Sequence, residues 1–302
     1  MRAIAAAAVL FASACHSTKR PAPLLPPPPP PAARVDAGVR GDDSAARAEA
    51  AWARREVDPA ALDQAISLWE EVALRSADPS APLLDAARAR RLRIERARRG
   101  AEPEAAVIGA DAQACAADAH RSWAAEFPAA AAQLDGTHEA AEVYAQIGAA
   151  GAEALYLEAV CSAAWARMQG FTPLIERRGE LTAALQRVSQ LAPGLDGGGA
   201  ERELGTLLAA LPAYAGGDIQ EARKHLDAAV QWAPQDPRNH LALARTVAVK
   251  AQDRALFEHE LDLVAKGDDA IAAADAAALS RHADELFGPA EAAQKVPGGH
   301  TP

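Results

Sequence analysis

Aromatic side chains are scarce in this chain: Phe, Trp and Tyr make up 4% of 302 residues, whereas 50% of the residues are hydrophobic and alanine is abundant. A β-sandwich needs β-branched and aromatic residues on its strands, so the composition argues against one. Alanine has the highest helix propensity, and small residues let helices pack closely. No strand-like alternation persists for more than a few residues. We therefore expect an all-α body.

Basic residues are outnumbered, with 31 Lys and Arg against 41 Asp and Glu and a formal net charge of -10. Nucleic-acid-binding proteins usually have the opposite sign or a clear basic stripe, so we predict no nucleic-acid partner. The local exception is "RARRLRIERARR", residues 88–99. Its cationic and apolar positions alternate, and we interpret it as the solvated face of a helix in preference to an anion or lipid site.

Long apolar runs are also missing, since the one at the N-terminus covers only residues 3–12. A membrane-spanning helix needs roughly 20 apolar residues. Arg2, the short run and the small residues after it follow the order of a secretory signal peptide, assigned to residues 1–14. "ASAC" resembles a bacterial lipobox ending at Cys15, and it also fits a plain cleavage site at Ala12 and Ala14. We favour lipidation of Cys15.

Residues 15–43 are rich in proline and predict an extended polyproline tether, although an ordinary disordered leader has the same composition. His16 stands where inner-membrane lipoproteins often carry Asp. The resemblance to lipoproteins therefore implies an anchor in the outer membrane of a Gram-negative cell, with the body in the periplasm.

Cysteine is rare, and beyond Cys15 the chain has only Cys115 and Cys161. An oxidising compartment would allow these two to form a disulfide. They fall on different predicted helices, and the sequence does not say whether those helices meet. We favour the alternative of two small buried thiols.

The sequence motifs that would indicate metal binding, phosphate binding or catalysis are incomplete in this chain. "HEAAE", beginning at His138, lacks the second His of a zinc motif. The glycines at 197–199 have no G-K-[ST] and no preceding strand, so we interpret them as a flexible junction before a helix. Ser189 and Ser280 lie in helical contexts without a nucleophile elbow. We predict no catalytic residue, no metal, no cofactor and no enzymatic activity.

A helical pattern ending in proline recurs along the body. Hydrophobic residues at the same offsets precede Pro193 and Pro234, and the pattern before Pro128 and Pro79 is similar. Such a stripe buries one helix face, and proline stops the helix. Each of these helices has a helical segment before it, so the pattern predicts antiparallel hairpins that must stack to bury their apolar faces.

We predict a right-handed stack of about five hairpins over residues 44–288, capped by its last amphipathic helix, and a flexible tail at 289–302. Gly216 and Asp218 are the expected terminator and N-cap between two of the helices, and Pro237 and Asp253 the expected helix starts. The five tryptophans are spread almost one per hairpin, and we favour core positions for them over a binding groove: Trp52, Trp69, Trp123, Trp165 and Trp232.

"GDIQEARKHLDAAVQWAP", residues 217–234, resembles the second half of a tetratricopeptide repeat (TPR). The longer stretch "DGGGAERELGTLLAALPAYAGGDIQEARKHLDAAVQWAP" resembles the T-component (TatT) family of tripartite (TRAP) periplasmic transporters. That likeness extends over residues 153–287 and more loosely back to about residue 45. It implies a periplasmic lipoprotein that docks a solute-binding protein, with apolar clefts and a trimeric assembly as further expectations. It transfers no individual functional residue.

The predicted function is therefore partner binding by a TPR-like helical stack, with the solute-binding component of a TRAP-type transporter as the partner. Two alternatives stay open: a general scaffold for envelope or secretion-complex assembly, and a periplasmic carrier of an apolar small molecule. Neighbouring genes would separate the first two, and co-purified ligand would indicate the third.

Lipidation of Cys15 is directly testable. The full chain expressed in a Gram-negative host fed an alkyne-labelled fatty acid should incorporate label, and Cys15→Ser should not, because the thiol is the acylated group. Label retained in Cys15→Ser would contradict the assignment.

Overall fold

The computed structural model describes residues 43–99, 105–134 and 137–288, and these ranges are helical with no strand among them. This agrees with the all-α expectation. The predicted signal peptide, Cys15, the predicted tether and the predicted tail at 289–302 lie outside the described residues. Among the described helices, none combines the length and the apolar character needed to cross a bilayer.

The helices follow one another with short connections. The first half contains α1 Ser44–Ala53, α2 Ala61–Arg75, α3 Ser80–Arg99, α4 Ala105–Glu126, α5 Pro128–Ala131, α6 Ala140–Tyr144 and α7 Ala152–Gln169. The second half contains α8 Phe171–Leu191, α9 Gly199–Ala210, α10 Ile219–Trp232, α11 Pro237–Leu243, α12 Val249–Ala251, α13 Arg254–Ala265, α14 Ala270–Arg281 and α15 Ala283–Phe287. A π-helical turn, Ala244–Ala248, joins α11 to α12.

Local sequence signals account for several of these boundaries. The α4, α8 and α10 helices each end two residues before a proline. The carboxylates of Asp218 and Asp253 accept backbone N–H groups from the first turns of α10 and α13, which confirms them as N-caps. Pro237 opens α11 as expected, and Gly216 has a left-handed backbone with φ 84°.

Packing runs mainly in chain order. Each long helix contacts the next one along the chain, from α1 through α4, on to α7, and from α7 to α11, α13 and α14, while α5 and α6 lie in the connection between α4 and α7. Helices that are two places apart in this order can also touch, since α3 contacts α7. This serial order is what a stack of hairpins requires, and the right-handed TPR-like superhelix with about five hairpins stays a prediction.

Tryptophan positions divide between core and surface. Trp123 is fully buried and Trp69 nearly so, as expected for core residues. Trp52 and Trp165 pack against the core from its margin. Trp232 is 54% exposed, so the core interpretation is wrong for this residue. It ends α10 beside the glycine-bearing junction, where there is no following helical turn to cover the ring.

The structure joins Cys115 of α4 to Cys161 of α7 through a disulfide, with their Cα atoms 6.0 Å apart. The two helices pack along their length, which brings the cysteines together across a sequence separation of 46 residues. The two free buried thiols that we favoured from the sequence are therefore wrong, and the disulfide alternative is the one that the structure shows.

Close helix approach depends on Gly205 of α9. A Cβ atom at this position would lie 2.6 Å from Leu226 Cγ and 2.8 Å from the Ala222 carbonyl oxygen, both on α10. Real Cβ atoms do not approach backbone oxygen this closely, so the crossing of α9 and α10 requires glycine. Ala222 and Leu226 are the residues that carry the repeat pattern, and both are fully buried.

Two glycine substitutions should therefore change the free energy of unfolding in opposite directions. Gly205→Ala should lower the free energy of unfolding by ~1 kcal/mol or more, because overpacking outweighs the helix-propensity gain. Gly179→Ala is the matched control, since Gly179 is exposed in α8 with no atom within 4 Å of an added Cβ. It should raise stability by about 0.5–1 kcal/mol. Urea denaturation measures both, and a stabilised Gly205→Ala would show that the crossing is not tight.

Candidate functional site

Five arginines of α3, between Arg88 and Arg96, bind acidic residues elsewhere in the chain, so the solvated face that we expected for residues 88–99 is wrong for these five. Their partners are distributed over the chain: Glu153 for Arg88, Glu70 and Asp118 for Arg90, Asp196 for Arg91, Asp63 and Asp111 for Arg93, and Glu56 for Arg96. Helix α3 contacts α2, α4 and α7, so its successive arginines point toward different neighbours.

One side of α3 forms ion pairs with buried carboxylates of α4. Arg90 Nε donates to Asp118 at 2.9 Å, and Arg93 Nε donates to Asp111 at 2.6 Å. Both aspartates are buried. Burial raises the pKa of Asp118 even though the Arg90 and Arg121 guanidinium groups act in the opposite direction. These contacts fix how α3 and α4 lie against each other.

The other side of α3 faces a pocket of about 240 Å³. It lies between α3, α7, the α8–α9 junction and the start of α11, and it brings together three guanidinium groups and three carboxylates. The lining residues are Arg88, Arg91, Glu95, Glu153, Tyr156, Leu157, Leu195, Asp196 and Arg238. We call this the junction pocket, and it is the candidate functional site.

The glycines of the junction are packed, so the flexible junction that we expected from them is wrong. Asp196, Gly197 and Gly198 have consecutive positive φ angles of 52°, 65° and 76°. A Cβ on Gly198 would lie 3.0 Å from the Ala229 Cα, so this position requires glycine for space as well as for conformation. Asn239 is fully buried and donates to the carbonyl oxygens of Gly197 and Ala229, at 3.0 and 2.9 Å.

This left-handed turn directs the Asp196 carboxylate at three arginines from three helices. Its oxygens lie 3.0 Å from Arg91 Nη2, 2.8 Å from Arg202 Nη2 and 2.6 Å from Arg238 Nη1. Tyr156 Oη donates to the same carboxylate at 2.6 Å, and the Arg91 guanidinium lies 5.2 Å from the centre of the Tyr156 ring. Burial alone would raise the pKa of Asp196, but the three guanidinium charges outweigh it and lower this pKa to about 2.

Three histidine–glutamate pairs join packed helices elsewhere. Nδ1 of the histidine lies 3.1, 2.6 and 2.6 Å from the carboxylate in His120–Glu158, His225–Glu201 and His240–Glu260. Glu158 also accepts from Trp123 Nε1. Burial lowers the pKa of His120, but the Glu158 charge outweighs it and the net direction is upward. These pairs connect α4 to α7, α9 to α10 and α11 to α13.

The other residues singled out in the sequence do not assemble into a reactive site in the described ranges. His138 interacts with the Thr137 hydroxyl, and Ser189 donates to Glu201. No group of three or more His, Cys, Asp or Glu side chains in those ranges could hold a metal ion. The lining residues of the junction pocket include equal numbers of guanidinium and carboxylate groups and no Ser, Thr, Cys, Lys or His side chain. Sequence reasoning missed this pocket, whose only visible signal was the concentration of arginine in residues 88–99.

The observed features define a class of protein: an all-helical body whose helices pack in chain order around a charged pocket. The model of the TRAP transporter T-component family matches residues 85–287. Because the match covers more than half of the chain, the chain belongs to the TRAP transporter T-component family, and the resemblance drawn from the sequence is confirmed. No curated protein matches the chain. Membership associates the chain with TRAP transporters and the cell envelope, and the family is one of transporter components and not of enzymes.

The pairing of Asp196 predicts a specific pH dependence. Asp196→Asn keeps the left-handed backbone, which Asn tolerates, but leaves three arginines without their shared carboxylate, and should cost roughly 2 kcal/mol near neutral pH. Because the folded pKa lies below the ordinary value, the contribution is complete above about pH 5 and decreases by ~1 kcal/mol as the pH falls to about 3.

Urea denaturation from about pH 6 to 3 measures the difference in stability between the wild type and Asp196→Asn. Asp275→Asn is the control, since its one ion pair within the described ranges is an exposed 3.7 Å contact with Arg245. A difference that stays constant with pH would contradict the assignment.

Proposed function

We propose that this protein is a periplasmic helical scaffold that binds a partner protein of a TRAP-type transporter, and that the partner is the solute-binding component. The observation that carries the proposal is the family match over residues 85–287. The serial packing of helices supports it, because stacked hairpins provide extended surfaces for protein contact. The disulfide between Cys115 and Cys161 fits an oxidising compartment.

We assign the docking surface to the end of the stack at which α7 connects to α8, here called the upper end. Phe171 and Tyr214 are 65% and 88% exposed there, and Met168 and Val107 are exposed as well. Large exposed aromatic side chains are typical anchors of protein interfaces. Phe171 begins α8, Met168 is near the end of α7, Val107 is near the start of α4 and Tyr214 lies in the connection between α9 and α10. A group of such residues at one end of the body differs from singly scattered surface hydrophobics.

Two contacts support the placement of these residues at one end. A Cβ on Gly216, in the turn after α9, would collide with Arg178 Nη1 of α8, so the α9–α10 turn lies against the first half of α8. The position of an added Cβ on Gly109, near the start of α4, is 3.5 Å from Met168 Cε at the end of α7. The four exposed residues therefore share the upper end.

The proposed lipid anchor would act from the opposite end. Glu56, in the α1–α2 connection, pairs with Arg96 near the end of α3, which lies at the upper end. Helix α1 therefore starts at the lower end, and the chain enters the body there at Ser44. An acylated Cys15 and the tether at 15–43 would hold the lower end toward the outer membrane and leave Phe171 and Tyr214 facing the periplasm.

Capture from detergent-solubilised envelopes tests the proposal. The wild-type chain should retain a solute-binding protein or a TRAP membrane subunit. Phe171→Ser combined with Tyr214→Ser should reduce this retention at least about tenfold, because aromatic anchors each contribute on the order of 2 kcal/mol.

The matched control is Leu74→Ser, which removes a side chain that is 66% exposed near the end of α2, at the lower end. It should leave retention unchanged. Capture of secretion or assembly proteins instead would favour the general scaffold, and equal loss in both variants would contradict the docking surface.

A further inference from the structure

The imidazole ring of His240 on α11 contacts a hydrogen-bond acceptor with each of its two nitrogens. Nδ1 lies 2.6 Å from the Glu260 carboxylate of α13, and Nε2 lies 2.9 Å from the carbonyl oxygen of Pro234, in the connection between α10 and α11. A carbonyl oxygen and an ionised carboxylate can only accept, and a neutral imidazole has a single N–H to donate. The geometry therefore fits an imidazolium cation that donates to both oxygens.

Both members of this ion pair are buried in an apolar interface. The side chains of His240 and Glu260 are 8% and 9% exposed. His240 lies one helical turn before Ala244 on α11, and Glu260 lies beside Leu261 and three residues after Phe257 on α13. Ala244, Phe257 and Leu261 belong to one hydrophobic cluster. Loss of the imidazolium charge would leave a buried carboxylate without its counter-charge, which is costly.

This interface is the main attachment of the C-terminal helices. Among the described helices, α13 packs mainly against α14, α11 and the π-helical turn, and α14 packs mainly against α13. Helix α15 directly follows α14. A second ion pair across the attachment, between Arg245 and Asp275, is exposed with a separation of 3.7 Å, and such pairs add little stability. The buried His240–Glu260 pair is therefore placed where it can control how firmly α13–α15 are held.

The charged groups around His240 favour its protonated form. The hydrogen bond with Glu260 raises the pKa of His240, burial acts in the opposite direction, the Pro234 carbonyl and the Asp236 charge raise it further, and the net direction is upward. Other charged residues on α11 and on the elements packed against it form ion pairs with partners other than His240: Arg202 of α9 with Asp196, His225 of α10 with Glu201 of α9, Arg223 with Asp227 on α10, Arg238 of α11 with Asp196 and Asp236, Arg254 with Glu258 and Lys266 with Asp262 on α13, and Arg245 of the π-helical turn with Asp275 of α14.

We propose that the His240–Glu260 pair is a proton-controlled clamp: protonated His240 holds α13–α15 to α11 and to the α10–α11 connection, and loss of this proton loosens these helices. Because the pKa of His240 is raised in the folded chain, the stabilisation is complete below about pH 6.5 and is lost as the pH rises through the raised value. The C-terminal helices are therefore held more firmly in acidic than in alkaline surroundings.

Nitrogen-15 NMR of the full chain labelled at histidine tests the protonation state. At pH 6 both ring nitrogens of His240 should give the signals of N–H groups, and His240→Gln assigns these signals by removing them. Glu260→Gln should lower the pH at which this ring loses its proton, because the counter-charge is gone. A ring with only one protonated nitrogen at pH 6 would place the proton on Glu260 and overturn the proposal.

Amide hydrogen exchange, corrected for the intrinsic pH dependence of exchange, measures the opening of α13 and α14. Between pH 6 and pH 9 the opening constant should increase about tenfold, as expected for the loss of a hydrogen bond to a charged group. Helix α2 is the internal reference, since residues 44–75 contain no histidine. An opening constant that does not change in α13 and α14, or that increases equally in α2, would contradict the clamp.

His240→Gln and His259→Gln are the matched variants. His259 is adjacent to Glu260 on α13 and is exposed, so His259→Gln should keep the wild-type pH dependence. The amide of His240→Gln does not titrate, so α13 and α14 should already open more at pH 6, with no further increase to pH 9. If His240→Gln does not fold, the NMR and exchange measurements on the wild-type chain still decide. A pH dependence that persists in His240→Gln, or disappears in His259→Gln, would overturn the assignment.

Discussion

The row of arginines on α3 is the constraint on which the rest of the structure depends. These side chains reach acidic partners on α1–α2, α4, α7 and the α8–α9 junction, so one helix orients four parts of the chain. Such buried ion pairs add little net stability over apolar packing, but removal of one partner leaves a buried charge and is costly. Arrangements of the alanine-rich helices that separate one of these pairs are therefore penalised.

Small residues allow the close helix approach on which these ion pairs depend. Gly205 lets α9 and α10 approach closely, and Gly197 and Gly198 let the junction turn back against α10. Without that approach, Asp196 would not reach Arg202 and Arg238 at the same time. Packing and charge are therefore coupled. The glycines allow the short distances between the junction and its neighbouring helices, and the Asp196 carboxylate forms ion pairs with α3, α9 and α11 at those distances.

Local features of the sequence predicted the helices well. The Ala222–Leu226–Ala229 stripe, the Asp218 cap and the prolines after α4, α8 and α10 act over a few residues, so they can be recognised without tertiary information. The charged site could not be predicted in this way. Arg91 pairs with Asp196 at a separation of 105 residues, and neither residue differs locally from one that faces solvent. Trp232 and the glycines at 197–199 were misread for the same reason, because their environments are set by distant helices.

The disulfide has a consequence for how the chain tolerates damage. Cys115 and Cys161 bracket the excursion that contains α5 and α6, between the two long helices α4 and α7. A protease that cut this excursion would leave two polypeptides still covalently linked, with α4 and α7 in place. Cleavage of this segment would therefore not separate the halves of the body. Under reducing conditions the same cut would leave only packing and ion pairs to hold them.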